Sequence, residues 1–452
     1  MPSVRSIFGR TLQIITIAGL LIYCTGIYLT EHRPLGIAIR AIGLSLLLLV
    51  AIKRRSLTVW TFFAILAGAE LGADAPSVAV HLRILADIFL RLVRLIVAPL
   101  ILGTLTTGIA AHGQLRSLGR IAWKTFLYFE IVTTLALLFG AVAINLSRAG
   151  EGITLPATLT TNGTSPTLLT QPGLEPFLLN MFPENIALAV AQNQILQVAV
   201  FAILFGTALA LLPAEKKAPM LTLLQSLTDT MFQFTKIIMY FAPIAAGAAM
   251  SYTVGSTGLS TLLPLSKLVA TFYVAGLAFL LLVLLPIILL TGIPLRKFLN
   301  AISEPAAIGF ATSTSETALP LAMERMEEFG VPRWIVSFVI PSGYSFNMDG
   351  ASLYLSIAAI FAAQASGIHL SLGEQAVMLG TLMLTSKGLA GVPRAILAIL
   401  LATAASFHLS SVAIMMILGV DALIDMGRTA LNVVGNCLAS AVIGRWENRE
   451  AK

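Results

Sequence analysis

The last apolar stretch of the chain carries polar residues whose types and spacing suit the binding of a charged solute. They are Asp421, Asp425, Arg428, Thr429, Asn432 and Asn436. Apart from Thr429, they follow one another at spacings of three or four residues, which places them on one side of an α-helix. Ionisable groups are costly at membrane depth, so such a stripe indicates a function.

Two carboxylates and one guanidinium on this stripe allow two interpretations. In the structural one, Arg428 and an aspartate neutralise each other, which accounts for one of the two carboxylates. In the functional one, Arg428 binds a carboxylate of a substrate with its planar fork, and the remaining aspartate binds a cationic amine. We favour the functional interpretation, because pairing alone leaves one negative charge over.

A second polar group, Asn347 to Gly350, interrupts an otherwise apolar stretch. Gly350 predicts an unwound turn, and the carbonyl, carboxylate and amide oxygens there suit a hard cation. Taken alone, a glycine-kinked helix with a buried polar cap would explain this group equally well. Polar-interrupted segments on both sides favour the cation interpretation.

Hydroxyl groups are concentrated between Thr312 and Thr317, a run that includes Thr314, Ser315 and Glu316. Small side chains leave backbone N–H groups free to face an anion at the start of a half-helix. Taken alone, an ordinary Ser/Thr-rich loop is the simpler interpretation, and the turn at Gly391 and Val392 is equally unspecific.

Glu130 lies in an apolar run next to the threonine pair that begins at Thr133. A lone glutamate at membrane depth is a candidate proton carrier. It could equally form an ion pair with Lys124, six residues earlier, and the sequence leaves both interpretations open.

Composition shows that membrane spans must position these groups. Of the 452 residues, 57% are hydrophobic and 11% are charged, against about 25% charged in soluble domains. The net charge of +7 is concentrated in short connectors such as 53–55, typical of cytoplasmic membrane loops, so we expect no nucleic-acid partner. Two cysteines and five scattered histidines predict neither disulfides nor a transition-metal site, and we expect no cofactor.

Apolar runs of about 20 residues predict an all-α, polytopic membrane protein. The predicted spans cover residues 12–29, 35–52, 57–74, 86–110, 121–147, 188–212, 224–252, 266–292, 334–364 and 408–445. Residues 148–187 are predicted to form an external loop. Segments 303–333 and 371–405 have apolar arms too short for two crossings around a polar centre, so they predict re-entrant hairpins. Basic residues flanking the first two spans place the N-terminus in the cytoplasm.

The chain resembles the dicarboxylate/amino acid:cation symporter family, which includes the glutamate transporters, over residues 57–447. The stretches that carry the resemblance are 90–94, 98–100, 128–134, 313–320, 347–350, 386–393 and 425–429. Within this family the run 337–347 and the order Ser315-Glu316-Thr317 look most like the bacterial proton–glutamate symport proteins.

The resemblance implies a glutamate-transporter-like fold with eight core spans and two re-entrant hairpins, in a homotrimer of the bacterial inner membrane. Two extra spans form an N-terminal extension, residues 1–55, and residues 448–452 form a cytoplasmic tail. The core, 56–447, divides into a scaffold, about 57–110 and 188–252, and a transport unit, about 121–147 and 266–446. The transport unit would move across the membrane like an elevator, with the second hairpin as its external gate.

The resemblance also assigns roles within the site. Arg428 would bind the side-chain carboxylate of an acidic amino acid, Asp425 its amino group and Asn432 its main-chain carboxylate. The implied substrate-binding residues are Arg428, Asp425, Thr429, Asn432, Thr314, Ser315, Gly391 and Val392. The implied cation- or proton-coupling residues are Asn347, Asp349, Asn436, Glu130, Thr133 and Glu316.

Two positions separate subgroups of the family. Sodium-coupled members carry an aspartate where this chain has Asn436, and a neutral amide removes a full charge from a sodium site. The resemblance therefore favours proton coupling, with Glu130, Glu316 and Asp349 as candidate carriers and sodium as the alternative. Members that carry C4-dicarboxylates generally lack the aspartate found here at Asp425, so its presence favours glutamate or aspartate over a C4-dicarboxylate.

Two other functional classes fit the sequence poorly. A membrane hydrolase could use Ser315 with His408, but no nucleophile motif surrounds either residue. An anion channel would require a continuous basic pore lining, whereas the polar stripe is net acidic. We therefore expect a secondary active symporter rather than an enzyme.

Overall fold

The computed structural model describes residues 4–28, 33–111, 115–153, 182–192, 194–386, 396–397, 399–401, 407 and 409–450. Its helices are α1 (Val4–Tyr28), α2 (Arg33–Arg54), α3 (Leu57–Asp74), α4 (Pro76–Ala79), α5 (Arg83–Ala111), α6 (Leu115–Ser147), α7 (Ile186–Ala191), α8 (Ile195–Ala210), α9 (Ala214–Met239), α10 (Ala242–Thr257), α11 (Leu262–Phe279), α12 (Leu285–Leu290), α13 (Leu295–Thr312), α14 (Ser315–Phe329), α15 (Arg333–Phe346), α16 (Asp349–Ala365), α17 (Leu372–Ser386) and α18 (Ser411–Glu450). No strand occurs in these described ranges, so the prediction of an all-α protein is confirmed.

Several of these helices are long and apolar enough to cross a bilayer. Within the described residues, the candidate spans are Leu35–Arg54, Leu57–Asp74, Trp123–Ser147, Leu259–Leu290 and Arg333–Ala365. The pair formed by α9 and α10 adds a sixth if it is counted as one span. The chain is therefore a multi-pass membrane protein, while the count of eight core spans with two re-entrant hairpins stays a prediction.

Apart from the span predicted at 334–364, three predicted spans are interrupted in the structure, and prolines explain two of these three interruptions. The span predicted at 224–252 is two helices, because α10 starts anew at Ala242 with Pro243 in its first turn, where its missing N–H costs nothing. In the span predicted at 266–292, a π-helical turn, Leu280–Leu284, precedes Pro286. A π turn gives the proline ring room within the helix. The span predicted at 188–212 is divided into α7 and α8.

The chain forms two compact units. The first contains Met1–Phe89 and Tyr240–Leu259, and therefore α1 to α4, the start of α5, and α10. Within it α3 packs closely on α10. A Cβ atom on Gly247 would lie 2.8 Å from the carbonyl oxygen of Ala64, so the two backbones approach more closely than any side chain would permit.

The second unit contains Leu90–Met239 and Ser260–Lys452 and is organised around α18. Helices α13, α14, α15 and α16 all pack on α18, and α16 also packs on α6. Every residue of α16 except Gln364 is buried. The alanines and serines of this helix allow close packing on several sides, which explains how it occupies the centre of the unit.

A helical hairpin formed by α13 and α14 coincides with the first segment predicted to be re-entrant. Its turn consists of Ser313, with a left-handed φ of 54°, and Thr314, which is extended. Arg325 on α14 donates to Glu304 on α13 at 2.7 Å and so links the two arms. The first arm starts at Leu295, eight residues before the predicted boundary of 303. For the second predicted hairpin, the structure describes α17, and most of the rest lies outside the described residues.

Candidate functional site

The span formed by α15 and α16 is broken at Asn347 and Met348, so the predicted unwound turn is confirmed. The sequence predicted that Gly350 lies in this unwound turn. In the structure, Gly350 lies in the first turn of α16 instead. Its value is steric, because a Cβ atom at this position would collide with the carbonyl oxygen of Arg428 on α18. The break therefore brings the start of α16 against the backbone of the polar stripe.

Asn432 on α18 caps the start of α16. Its Oδ1 atom accepts hydrogen bonds from the N–H groups of Gly350, at 2.8 Å, and Ala351, at 3.2 Å. A helix start leaves four N–H groups without partners, and this side chain satisfies two of them. Since the Asn432 oxygen is occupied, its NH2 group is the part of this side chain that can donate to a ligand.

Three further polar side chains meet at the broken turn, and one of them, Asn347, belongs to the turn itself. Asn347 donates through Nδ2 to Asn436 Oδ1 at 3.1 Å and to Asp349 Oδ2 at 3.4 Å. The three residues are at most 1% exposed. Glycines make this approach possible, because a Cβ atom on Gly343 would collide with the Asn436 amide and one on Gly435 with the Asp349 carboxylate. We call Asn347, Asp349 and Asn436 the amide–carboxylate trio.

The trio combines one carboxylate with two neutral amides. Asn347 Oδ1 is buried and accepts no hydrogen bond from a described residue, so an acceptor in the trio is available to a cation or to a protonated group. Among the described residues there is no cluster of three or more His, Cys, Asp or Glu side chains that could hold a metal ion. The oxygen atoms of the trio suit a hard cation or a proton.

Arg428 and Asp425 form an ion pair one turn apart on α18, between Nη2 and Oδ1. Their side chains are only 6% and 4% exposed. Arg428 Nε and Thr429 Oγ1 are also buried and make no hydrogen bond to a described residue. The pair therefore neutralises two buried charges but leaves hydrogen-bonding capacity unused on the arginine side.

Asp421, the other aspartate of the stripe, has a different partner. Tyr354 on α16 donates its hydroxyl to Asp421 Oδ1 at 2.8 Å, and both residues are fully buried. The sequence left open which aspartate pairs with Arg428, and the structure identifies Asp425. Sequence reasoning missed Tyr354. The available signal was a phenol among small and apolar residues in the span that also carries Asp349.

The tip of the α13–α14 hairpin presents hydroxyl groups and a helix start. Thr314 Oγ1 lies 2.6 Å from Thr317 Oγ1 and 3.1 Å from Thr312 Oγ1. Ser315 is the first residue of α14, which follows the tip. Near the end of α13, Gly309 packs on Thr429 of α18, so this end of the hairpin lies beside the polar stripe.

The remaining predicted residues lie on α6, at the start of α14 or outside the described residues. On α6, Thr133 donates to the carbonyl oxygen of Phe129 at 2.7 Å, and Glu130 is half-buried. The structure pairs Lys124, the alternative partner considered for Glu130, with Glu447 at 2.9 Å. Glu316 is the second residue of α14, but its side chain is not described, and Gly391, Val392 and His408 lie outside the described residues.

The site is thus a broken span, α15 and α16, in which the start of α16 is capped by α18, the helix that also carries the buried ion pair.

The sequence pattern described as "Sodium:dicarboxylate symporter family" matches residues 57–446. The chain belongs to this family. The family is one of transporters, so the predicted family and the expectation of a symporter rather than an enzyme are confirmed.

Individual members of the Sodium:dicarboxylate symporter family are similar to the chain over most of its length. The chain is 40% identical over 369 residues to a proton/glutamate-aspartate symporter of Escherichia coli (strain K12), covering 80% of this chain and 84% of the relative. It is 38% identical over 396 residues to a proton/sodium-glutamate symport protein of Bacillus caldotenax, covering 86% and 94%. It is also 42% identical over 402 residues to C4-dicarboxylate transport protein 2 of Mesorhizobium japonicum, covering 88% and 91%. Sequence identity therefore does not distinguish an amino acid substrate from a dicarboxylate substrate. The residues of the site have to make that distinction.

Proposed function

We propose that this protein is a secondary active symporter that takes up an acidic amino acid, glutamate or aspartate, together with a proton. The observation that carries the proposal is the buried ion pair between Asp425 and Arg428. Relatives named as proton/glutamate-aspartate and proton/sodium-glutamate symporters support the same conclusion.

An acidic amino acid can replace both partners of this ion pair at once. Its side-chain carboxylate would take the Arg428 guanidinium, and its ammonium group would take the Asp425 carboxylate, so no buried charge loses its partner. A C4-dicarboxylate would satisfy Arg428 but would leave Asp425 buried and unpaired, which is costly. The pair therefore favours amino acids over the dicarboxylates that other relatives transport.

The remaining substrate contacts follow from the surroundings of the pair. The Asn432 NH2 group, left available because its oxygen caps α16, would donate to the main-chain carboxylate. Thr429 would add its hydroxyl. The Thr314–Ser315 turn would close over the ligand from the first hairpin, since α13 already packs on Thr429. Gly391 and Val392 would close from the second.

Coupling is proposed to reside in the amide–carboxylate trio. Asn436 Oδ1 already accepts from Asn347, and the trio contains a single carboxylate, Asp349. Such a set offers a sodium ion little charge, whereas a buried carboxylate can be neutralised by a proton. Glu130, with Thr133 beside it, and Glu316 are further proposed members of the proton path. Sodium coupling, named for the Bacillus caldotenax relative, is the alternative.

The architecture that we propose follows the family. Eight core spans and two re-entrant hairpins would form a scaffold, about 57–110 and 188–252, and a transport unit, about 121–147 and 266–446. The transport unit would move like an elevator in a homotrimer of the bacterial inner membrane, with the N-terminus in the cytoplasm. The packing of the α13–α14 hairpin on α18 supports the assignment of both to one moving body.

Transport by purified protein in proteoliposomes tests the proposal. Uptake of L-glutamate, L-aspartate and succinate is measured under a pH gradient, a sodium gradient or neither, with protein-free vesicles as the control. We expect saturable uptake of the two amino acids driven by an inward proton gradient without sodium. Preferential uptake of succinate would refute the substrate assignment, and strict dependence on sodium would refute the coupling assignment.

A further inference from the structure

Two helices precede the part of the chain that matches the family, which begins at residue 57. Helices α1 and α2 pack tightly on each other. A Cβ atom on Gly43 would lie 2.8 Å from the carbonyl oxygen of Gly19, and one on Gly26 would lie 2.9 Å from the amide nitrogen of Arg40. Small residues at such contacts let membrane helices approach closely. We call this pair the N-terminal hairpin.

A polar cluster joins the N-terminal hairpin to α3, the first helix of the family match. Arg40 on α2 forms an ion pair through Nε with Glu70 on α3. Its Nη2 atom lies 3.2 Å from Asp74 Oδ1 on the same helix. Tyr23 on α1 donates its hydroxyl to Glu70 Oε2 at 3.1 Å. All three helices therefore contribute a side chain to one cluster.

The cluster lies within apolar helices rather than in connecting loops. Arg40 falls inside the candidate span Leu35–Arg54, and Glu70 inside Leu57–Asp74. Their side chains are only 18% and 17% exposed. A charged group within a membrane span is costly in free energy unless it is paired. The ion pair between Arg40 and Glu70 therefore lowers the cost of placing both charges there.

The acidic side chains on α3 form a surface that fits one kind of partner. Glu70 and Asp74 are four residues apart and so project from the same side of the helix. A planar guanidinium has several N–H donors and can engage both carboxylates, as Arg40 does. The matching partner is a membrane helix that carries an arginine at this depth.

We propose that the acidic side of α3 is a docking surface for the N-terminal hairpin, and that Arg40 is the residue that α3 recognises. The hairpin is then a bound part of the first unit rather than a tether. Its polar cluster is structural and takes no part in moving the coupling proton. The docking is independent of the proposed transport function, whereas the exclusion from the proton path rests on it.

Cleavage of the folded protein between the hairpin and α3 tests the docking. A protease site is inserted between Arg55 and Ser56 of the full-length chain, and the purified protein is cut in mild detergent and recaptured through a C-terminal tag. We expect the hairpin fragment to stay with the core. In Arg40→Ala the released fraction should rise by about tenfold or more, since Glu70 loses its counter-charge and keeps only the Tyr23 hydroxyl as a partner. Arg54→Ala removes an exposed arginine from the same helix and should release no more than the parent protein.

Glu70→Gln supplies a second measurement that does not depend on the folding of the Arg40 variant. It should also increase release, and the double variant Arg40→Leu with Glu70→Gln should release less than Arg40→Leu alone, because fewer charges are left unpaired. Uptake by Glu70→Gln should keep the pH dependence of the parent protein. The docking assignment would be overturned if Arg40→Ala and Glu70→Gln released the same fraction of hairpin fragment as the parent protein. A shifted pH dependence of uptake without increased release would assign Glu70 to the proton path and overturn the structural role.

Discussion

Replacing Asp425 by asparagine tests the exchange of the internal ion pair for a substrate. In the proposed site, glutamate would keep both Asp425 and Arg428 paired, whereas succinate would leave Asp425 without a counter-charge. The Asp425 and Arg428 side chains are 4% and 6% exposed, so solvent hardly screens the charge that is left. Leaving one member of a buried pair without its partner costs roughly 3–5 kcal/mol. Since each 1.4 kcal/mol is about tenfold, the parent should prefer glutamate by about 10²- to 4 × 10³-fold.

In Asp425→Asn, the free-energy cost of an unpaired buried charge should fall on the binding of glutamate rather than on the binding of succinate. Succinate no longer isolates a carboxylate, while the ammonium group of glutamate now lacks its counter-charge. The ratio of kcat/KM for glutamate to that for succinate should fall by at least about 10²-fold, the lower end of the same range. The assay is uptake of each labelled solute into proteoliposomes under one fixed proton gradient, with protein content and monodispersity checked for each variant.

Asp421→Asn is the matched control, because it removes a carboxylate from the same stripe but leaves the Asp425–Arg428 pair in place. Its overall rate can change, because the neutral amide oxygen of asparagine is a weaker acceptor for the Tyr354 hydroxyl than a carboxylate, but the preference for glutamate over succinate should persist. The reasoning is refuted if Asp425→Asn keeps the parent preference, or if Asp421→Asn loses it to the same extent.

Three further predictions concern neighbouring positions. Arg428→Lys keeps the charge but loses the planar fork, so glutamate KM should rise by about tenfold or more, and an unchanged KM in the uptake assay would contradict bidentate binding. Asn436→Asp adds a second carboxylate to the trio and should make uptake respond to a sodium gradient; continued indifference to sodium would count against the proposed coupling site. Gly435→Ala places a methyl group against the Asp349 carboxylate and should lower thermal stability and uptake. Gly380→Ala, which meets nothing within 4 Å, should change neither.

The polar stripe was predictable because helical spacing is a local property. Asp425, Arg428 and Asn432 repeat every three or four residues, and the structure places them all on the single long helix α18. The broken span at Asn347 was predictable for a similar reason, since polar residues and a glycine interrupt an apolar run. Patterns of this kind need no knowledge of which helices become neighbours.

The partners of these side chains were not predictable, because they depend on long-range packing. Asp421 is bonded to Tyr354, 67 residues away, and Asn432 caps a helix start 82 residues away. Glu70 shows the same dependence on long-range packing. In the sequence it weakens an apolar run, but in the structure it is paired with Arg40 from an earlier helix. The break before Pro243 was also missed, because apolar residues continue across it even though proline marks the restart.

The contacts between α16 and α18 bear on how the protein can move. Tyr354 on α16 donates to Asp421 on α18, and Asn432 on α18 caps the start of α16. Asn347, in the turn before α16, donates to Asn436 on α18. Sliding one helix past the other would break all three buried contacts together. In the proposed mechanism the ion pair and the trio would therefore travel as one body, and solute and coupling ion would be carried in the same step.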